Sequence, residues 1–305
     1  MFFTDWEGPW ILNDFAYEIC IAVLNNDRFF RNLSEFDDYL AYVVRKEGYE
    51  AGYTVKLIVP FLVAAGVTNE FVRNFAAKSV RFLRDAGIAM EELREFMPVV
   101  ISTTYLQALE ETAGMLGLKE HLHATSVDFD SLKLSEELRQ ELLSSVDVLA
   151  SLSGKELARE FERIFAIPEV ARILDSVKAI GAGEKAEILE VYCEEYSVDF
   201  PVAVGDSISD YKMFEAAKRL GGVAVAFNGN EYAVRHADVA VISSSAIDEA
   251  LVVKRLLEAR SLSALKDLKL RYGELYVLND ENVEEVTRRS KKMRVMLRSD
   301  AGELG

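Results

Sequence analysis

Asp5 and Glu7 stand two positions apart in the run Asp5-Trp6-Glu7-Gly8-Pro9, directly after the apolar opening Met1-Phe2-Phe3. Side chains at i and i+2 of an extended segment share a face. Two carboxylates placed this way can converge on one reacting group, one as nucleophile and the other as proton donor. A second acidic set lies in Gly205-Asp206-Ser207-Ile208-Ser209-Asp210. Gly205 permits a tight turn that presents Asp206, and Asp210 sits near the start of the helix carrying Met213, Phe214 and Ala217. Together with Asp5 they form an oxygen-rich set of the kind hard Mg²⁺ prefers. Lys185, in Gly183-Glu184-Lys185-Ala186, opens another helix, where an ammonium can neutralise a phosphoryl group and an adjacent carboxylate. Ser102, following an apolar run, can donate to a phosphoryl oxygen. Plainer roles fit the same residue types: helix caps for the acids and the serine, an exposed charge for the lysine.

These residues need elements to hold them. Three apolar runs end in polar residues: Met1-Phe2-Phe3 at Asp5, Val99-Val100-Ile101 at Ser102, and Pro201-Val202-Ala203-Val204 at Gly205-Asp206. Val223 to Phe227 and Val239 to Ile242 follow at helix-sized intervals. Continuous apolar runs alternating with helical patterns predict parallel strands buried on both faces. The fold class expected is therefore α/β, a Rossmann-like doubly wound parallel sheet, with ligands beyond the carboxyl ends of its strands. The rhythm is interrupted between Asn13 and Gly87, where the spacing predicts helices. One carries Phe15, Ile19, Ala22 and Val23. A second is capped by Ser34 and ends near Gly48, and a third is capped by Thr68 and ends at Gly87. The aromatic residues of this segment, among them Trp10, Tyr17, Phe29, Phe30 and Tyr39, suit core packing better than a substrate pocket. The expected organisation is a core of residues 1–12, 88–131 and 177–255, a helical cap of 13–87, a second helical insertion of 132–176, and a C-terminal helical extension of 256–305. In that extension acids precede the bases Arg288, Arg289, Lys291, Lys292 and Arg294, the pattern of a solvated helix aligned with its macrodipole.

The chain has 305 residues, 50% of them hydrophobic, and a formal net charge of -16. Such a field repels phosphate backbones, so no nucleic-acid partner is expected. Cys20 and Cys193 form no ligand cluster or disulfide framework. The apolar stretch Leu57 to Val67 is too short to span a bilayer, so no membrane partner is expected and a cytoplasmic location is the default. Gln107 and Gln140 are the only glutamines, which fits a thermophilic source.

Taken in order, Asp5, Ser102, Lys185 and the Asp206–Asp210 pair resemble the motifs of the haloacid dehalogenase (HAD) superfamily, in particular phosphoserine-phosphatase-like hydrolases with a helical cap. The resemblance covers about Met1 to Ala250. It implies a Mg²⁺-dependent phosphatase or phosphotransferase acting on a small phosphorylated metabolite. Asp5 would form an aspartyl-phosphate, and Asp5, Asp206, Asp210 and the backbone carbonyl of Glu7 would hold the metal. Ser102 and Lys185 would bind the phosphoryl group, with Thr103 beside them. Glu7 would act as acid and base, although the phosphatases carry Asp there, and Thr103 and Thr104 replace glycines found in many members. Two alternatives stand beside this reading. One is a non-catalytic HAD-fold binding or assembly module. The other is an NAD-binding oxidoreductase, because Gly181-Ala182-Gly183-Glu184-Lys185-Ala186 fits G-x-G-x-x-G/A. Among the histidines, His121 and His123 share a strand face but lack a third ligand, and His236 is isolated.

Overall fold

The computed structural model describes residues 1–303. Its centre is a seven-stranded sheet of β1 (Phe2–Thr4), β2 (Pro98–Tyr105), β3 (Leu122–Thr125), β4 (Val202–Gly205), β5 (Val223–Phe227), β6 (Val239–Ser243) and β7 (Gly273–Val277). The order is β3-β2-β1-β4-β5-β6-β7, and all pairs are parallel except β6 with β7. The short strands read as unbroken apolar runs because both faces are covered. Phe2, Val100, Val204 and Val225 belong to one apolar cluster, and Phe3, Val99, Ala203 and Ala224 to the other. This is the doubly wound α/β arrangement expected from the sequence.

The chain leaves the core after β1 and forms α1 (Phe15–Leu24), α2 (Asp27–Asp38), a π-helical run Tyr39–Val44, α3 (Thr54–Leu57), α4 (Val59–Ala64) and α5 (Asn69–Ser79). It returns beside its point of exit: Leu12 N donates to Arg81 O at 2.8 Å, and Leu83 N to Trp10 O at 2.9 Å. Thr68 caps α5 as expected, accepting from Phe71 N at 3.0 Å, but the helix ends at Ser79 rather than Gly87 because the returning chain pairs with Leu12. Ser34 is not a cap. Asn26 caps α2 by accepting from Phe29 N at 2.9 Å, and the apolar face Phe29, Phe30, Leu33 and Phe36 runs through Ser34 without a break.

Core helices α6 (Ala86–Leu93) and α7 (Leu106–Met115) flank β2. The second insertion holds α8 (Glu136–Ser151), α9 (Gly154–Phe165) and α10 (Pro168–Ser176). It packs on the first insertion: Phe36 meets Phe161 at 5.0 Å and Phe29 meets Phe161 at 6.4 Å between ring centroids. Asn32 Nδ2 donates to Leu149 O at 2.7 Å. The two insertions thus share one aromatic core and act as a single helical layer. Phe29, Phe36 and Phe61 of the first insertion serve that packing, in keeping with the periodicity.

After α11 (Ala182–Glu195), α12 (Tyr211–Arg219), α13 (Glu231–His236) and α14 (Ala246–Ala259), the chain forms β7 and α15 (Val283–Arg298). The C-terminal extension is therefore not wholly helical. Antiparallel β7 pairs its backbone with β6, whose edge would otherwise stay open. No single described helix is long and apolar enough to cross a membrane.

Candidate active site

β1 ends at Asp5, whose backbone N–H donates to Val204 O of β4 at 2.9 Å. The loop that follows is tied down at each turn. Asp5 Oδ1 accepts from Trp6 N at 2.6 Å, Trp6 Nε1 donates to Thr112 Oγ1 at 2.9 Å, and Trp10 Nε1 donates to Thr4 Oγ1 at 2.9 Å. Gly8 is required here: its φ is +115°, and a β-carbon would lie 2.1 Å from Asp206 Oδ2. The tight turn thereby brings the ends of β1 and β4 together.

Asp206 follows β4, and Asp210 lies in the single turn Ile208–Asp210 that leads into α12. Asp210 Oδ2 accepts from Asp206 N and Ser207 N, each at 2.9 Å. Carboxylate oxygens of Asp5, Asp206 and Asp210 fall within 4.8 Å of one another, and all three residues are buried. Lys185, in the first turns of α11, is fully buried between two of them, with Nζ 3.0 Å from Asp5 Oδ2 and 2.7 Å from Asp210 Oδ1. Burial opposes the charge on Lys185, but Asp210 and Asp5 more than offset it and raise its pKa. Burial likewise pushes the Asp210 carboxyl up to about 6, against the pull of Lys185. The strand ends and helix starts thus bring Asp5, Lys185, Asp206 and Asp210 together as the sequence suggested.

The other expected residues fare differently. Ser102 does not end its strand. β2 continues to Tyr105 with a register shift against β3, and Ser102 is buried inside it. Thr103 and Thr104 line the cavity in its place. Glu7 also lines that cavity, with Oε1 accepting from Phe15 N at the start of α1 at 2.9 Å. Burial first, and then the nearby Asp14 carboxylate, push its pKa well above the usual carboxylate range. Thr104 Oγ1 is close enough to favour the charged form of Glu7, but it makes no hydrogen bond of normal geometry. The Glu7 carboxylate is not among the converging metal-site oxygens.

Two site residues have no counterpart in the sequence reading. Arg294 and Arg298 of α15 are 4% and 5% exposed, and both Nη1 atoms contact Asp206 Oδ2, that of Arg298 at 2.8 Å. Arg294 is thus no solvated helix end, although Arg288, Lys291 and Lys292 are exposed. The missed signal is a stripe: Val286, Ser290, Arg294 and Arg298 recur every fourth residue and form the buried face of α15.

The cavity lies between the strand ends and the helical layer, which contributes Asp14, Phe30, Ser34, Asp38 and Thr54. Its volume is about 100 Å³. Sites for drug-sized ligands hold roughly 300–1,000 Å³, so a small group fits best. The glycine run 181–186 is not a dinucleotide site. No strand precedes it, since Lys178 makes only an isolated bridge to Ser126. Ala182 N donates to Ala51 O at 3.1 Å, and a β-carbon at Gly181 would lie 2.8 Å from that same oxygen. These glycines admit the close approach of the helical layer. His121 Nδ1 and His123 Nε2 meet the Tyr192 hydroxyl at 3.1 and 2.9 Å, far from this chemistry in role.

No protein-family profile matches the chain, and no curated protein does. A solved structure, that of gene product AF1437 from Archaeoglobus fulgidus, is similar over the whole chain: 58% sequence identity, a TM-score of 0.97, and coverage of 100% of this chain and 98% of that one. The chain belongs to the AF1437 family. The AF1437 family therefore shares the seven-stranded α/β architecture and the helical insertion after β1. This AF1437 relative comes from a thermophilic archaeon, in keeping with the scarcity of side-chain amides here.

Proposed function

We propose that the chain is a phosphohydrolase of the haloacid dehalogenase type, acting on a small phosphorylated metabolite through an aspartyl-phosphate on Asp5. The observation that carries this reading is the convergence of Asp5, Asp206 and Asp210, with Lys185 bridging two of them beside a cavity lined by Asp5, Glu7 and Asp206. The donor set suits a hard divalent cation such as Mg²⁺, since three carboxylate oxygens lie within 4.8 Å. When bound, such an ion offsets repulsion between a carboxylate and an anionic phosphate and polarises a phosphoryl oxygen.

The chain's own groups supply the rest. An Asp5 oxygen forms a new P–O bond as the ester P–O bond breaks. Lys185, held in its charged form, pairs with Asp5 Oδ2 at 3.0 Å and fixes its orientation. Glu7, whose pKa is pushed up by burial and by Asp14, is the group placed to pass a proton to the leaving oxygen. The resulting Glu7 carboxylate takes a proton from the water that then cleaves the acyl phosphate and restores Asp5. Thr103 and Thr104 offer the donors first expected of Ser102. The helical layer excludes bulk water.

The intermediate provides the test. Wild-type protein quenched in acid during turnover of an aryl phosphate with Mg²⁺ should carry one phosphoryl group, removable by hydroxylamine and located on Asp5 by peptide mass analysis. Turnover without that adduct would refute the covalent route.

A further inference from the structure

Asp5, Asp206 and Asp210 are three buried carboxylates, and the chain sets three buried cations against them. Lys185 serves Asp5 and Asp210, while Arg294 and Arg298 both serve Asp206 Oδ2. Each of these three carboxylates thus has a buried side-chain cation against it. A divalent cation drawn to the same carboxylates meets positive charge already in place, in surroundings that screen it weakly.

The contested atom is Asp206 Oδ2. The two guanidinium groups are not loose solvent-facing charges. Arg298 Nη2 donates to Asn13 O at 2.9 Å, and Arg294 donates from Nε to Gly302 O at 3.1 Å and from Nη1 to Asp206 O at 3.0 Å. They sit one helical turn apart on the buried face of α15, so one rigid element delivers both. Lys185 differs, because it is delivered by the core helix α11 and touches Asp206 nowhere among the described contacts.

We infer that α15 is an internal competitor of the metal ion. Arg294 and Arg298 are positioning residues that hold Asp206 and must yield its Oδ2 when a divalent cation binds. The inference rests on the metal-site reading above. It adds that the C-terminal helix sets how tightly the site holds its ion. Arg298 also grips the carbonyl of Asn13, where the chain leaves the core for the helical layer. Uptake of the ion therefore loosens that crossing as well.

Calorimetric titration with Mn²⁺ alone tests this on the full chain. Arg298→Met should bind Mn²⁺ about tenfold more tightly than wild type, the change expected on removing one charge-assisted competitor. Arg298→Lys should fall between the two. A purely structural arginine predicts the opposite, since a loosened site binds less well. Equal or weaker binding by a folded Arg298→Met protein would overturn the inference. Should that variant fail to fold, hydrogen exchange on wild type decides instead: saturating Mn²⁺ should speed exchange in the last turns of α15, and unchanged exchange would overturn it. Asp206→Asn separates the two levels. If it binds Mn²⁺ as wild type does, the ion lies elsewhere and the metal-site reading itself fails.

Discussion

Asp5 and Asp206 leave neighbouring parallel strands at the same edge of the sheet, yet their charges are balanced in different ways. Asp5 shares a single lysine with Asp210, and all three belong to the α/β core. Asp206 depends on two arginines that come 88 and 92 residues later in the chain. The first arrangement is closed: one ammonium bridges two carboxylates and has no exit to solvent. The second is open to competition, because an element outside the strand–helix motif supplies the cations. The difference teaches that one cluster can hold both a fixed part and an adjustable part.

The comparison breaks most visibly at Lys185. Lys185→Met leaves two buried carboxylates facing each other without a cation, and removing one partner of a buried pair typically costs about 3–5 kcal/mol. The midpoint of urea unfolding should fall accordingly, with loss of any turnover. A variant as stable as wild type would show that the lysine is not the fixed counter-charge described here.

A second, smaller effect separates binding from chemistry. Glu7 is not part of the carboxylate cluster, so Glu7→Gln should leave Mn²⁺ affinity near wild type. It should lower kcat by about 10²-fold or more for alkyl phosphates, the usual scale of general acid–base help. Nitrophenyl phosphate, whose leaving group needs little protonation, should suffer less. Equal losses on both substrates would remove the acid role.

The smallest expected effect uses Asp37 in the helical layer as a contrast without any cation. Among the described residues this buried carboxyl accepts from neutral donors only, Tyr49 Oη at 2.6 Å, Thr54 N at 2.9 Å and Thr54 Oγ1 at 2.8 Å. Burial outweighs these bonds and raises its pKa from 3.8 to about 6. A raised folded-state value means that the folded chain holds this proton more tightly. The contribution to stability is full below the unfolded value near 4. It is lost as pH rises through about 6. Melting temperature should fall on the order of a few degrees across that window for this reason. Asp37→Asn should flatten the slope there, and an unchanged slope would assign it to other groups.

How much of this was legible in the sequence follows from the range of each signal. β1, β4, β5 and β6 were readable because strands buried on both faces leave continuous apolar runs. Asp5, Lys185, Asp206 and Asp210 were readable because each stands at the end of such a run or the start of a helix. Ser102 was misplaced because β2 runs on as Thr103-Thr104-Tyr105, residues that suit a strand as well as a turn. Arg294 reads as a surface charge because basic residues near a helix end usually are exposed, and here a buried carboxylate inverts that preference. The union of the two insertions rests on contacts between distant segments such as Phe36 and Phe161, which no local pattern records.

The proposed role of Asp5 is phosphoryl chemistry beside a cation held with Asp206 and Asp210. The most direct measurement is hydrolysis of p-nitrophenyl phosphate with Mg²⁺ by wild type and by Asp5→Asn, the variant first shown to be folded. The account predicts turnover by wild type that EDTA abolishes, and none above background by Asp5→Asn. Turnover that survives in Asp5→Asn would contradict it.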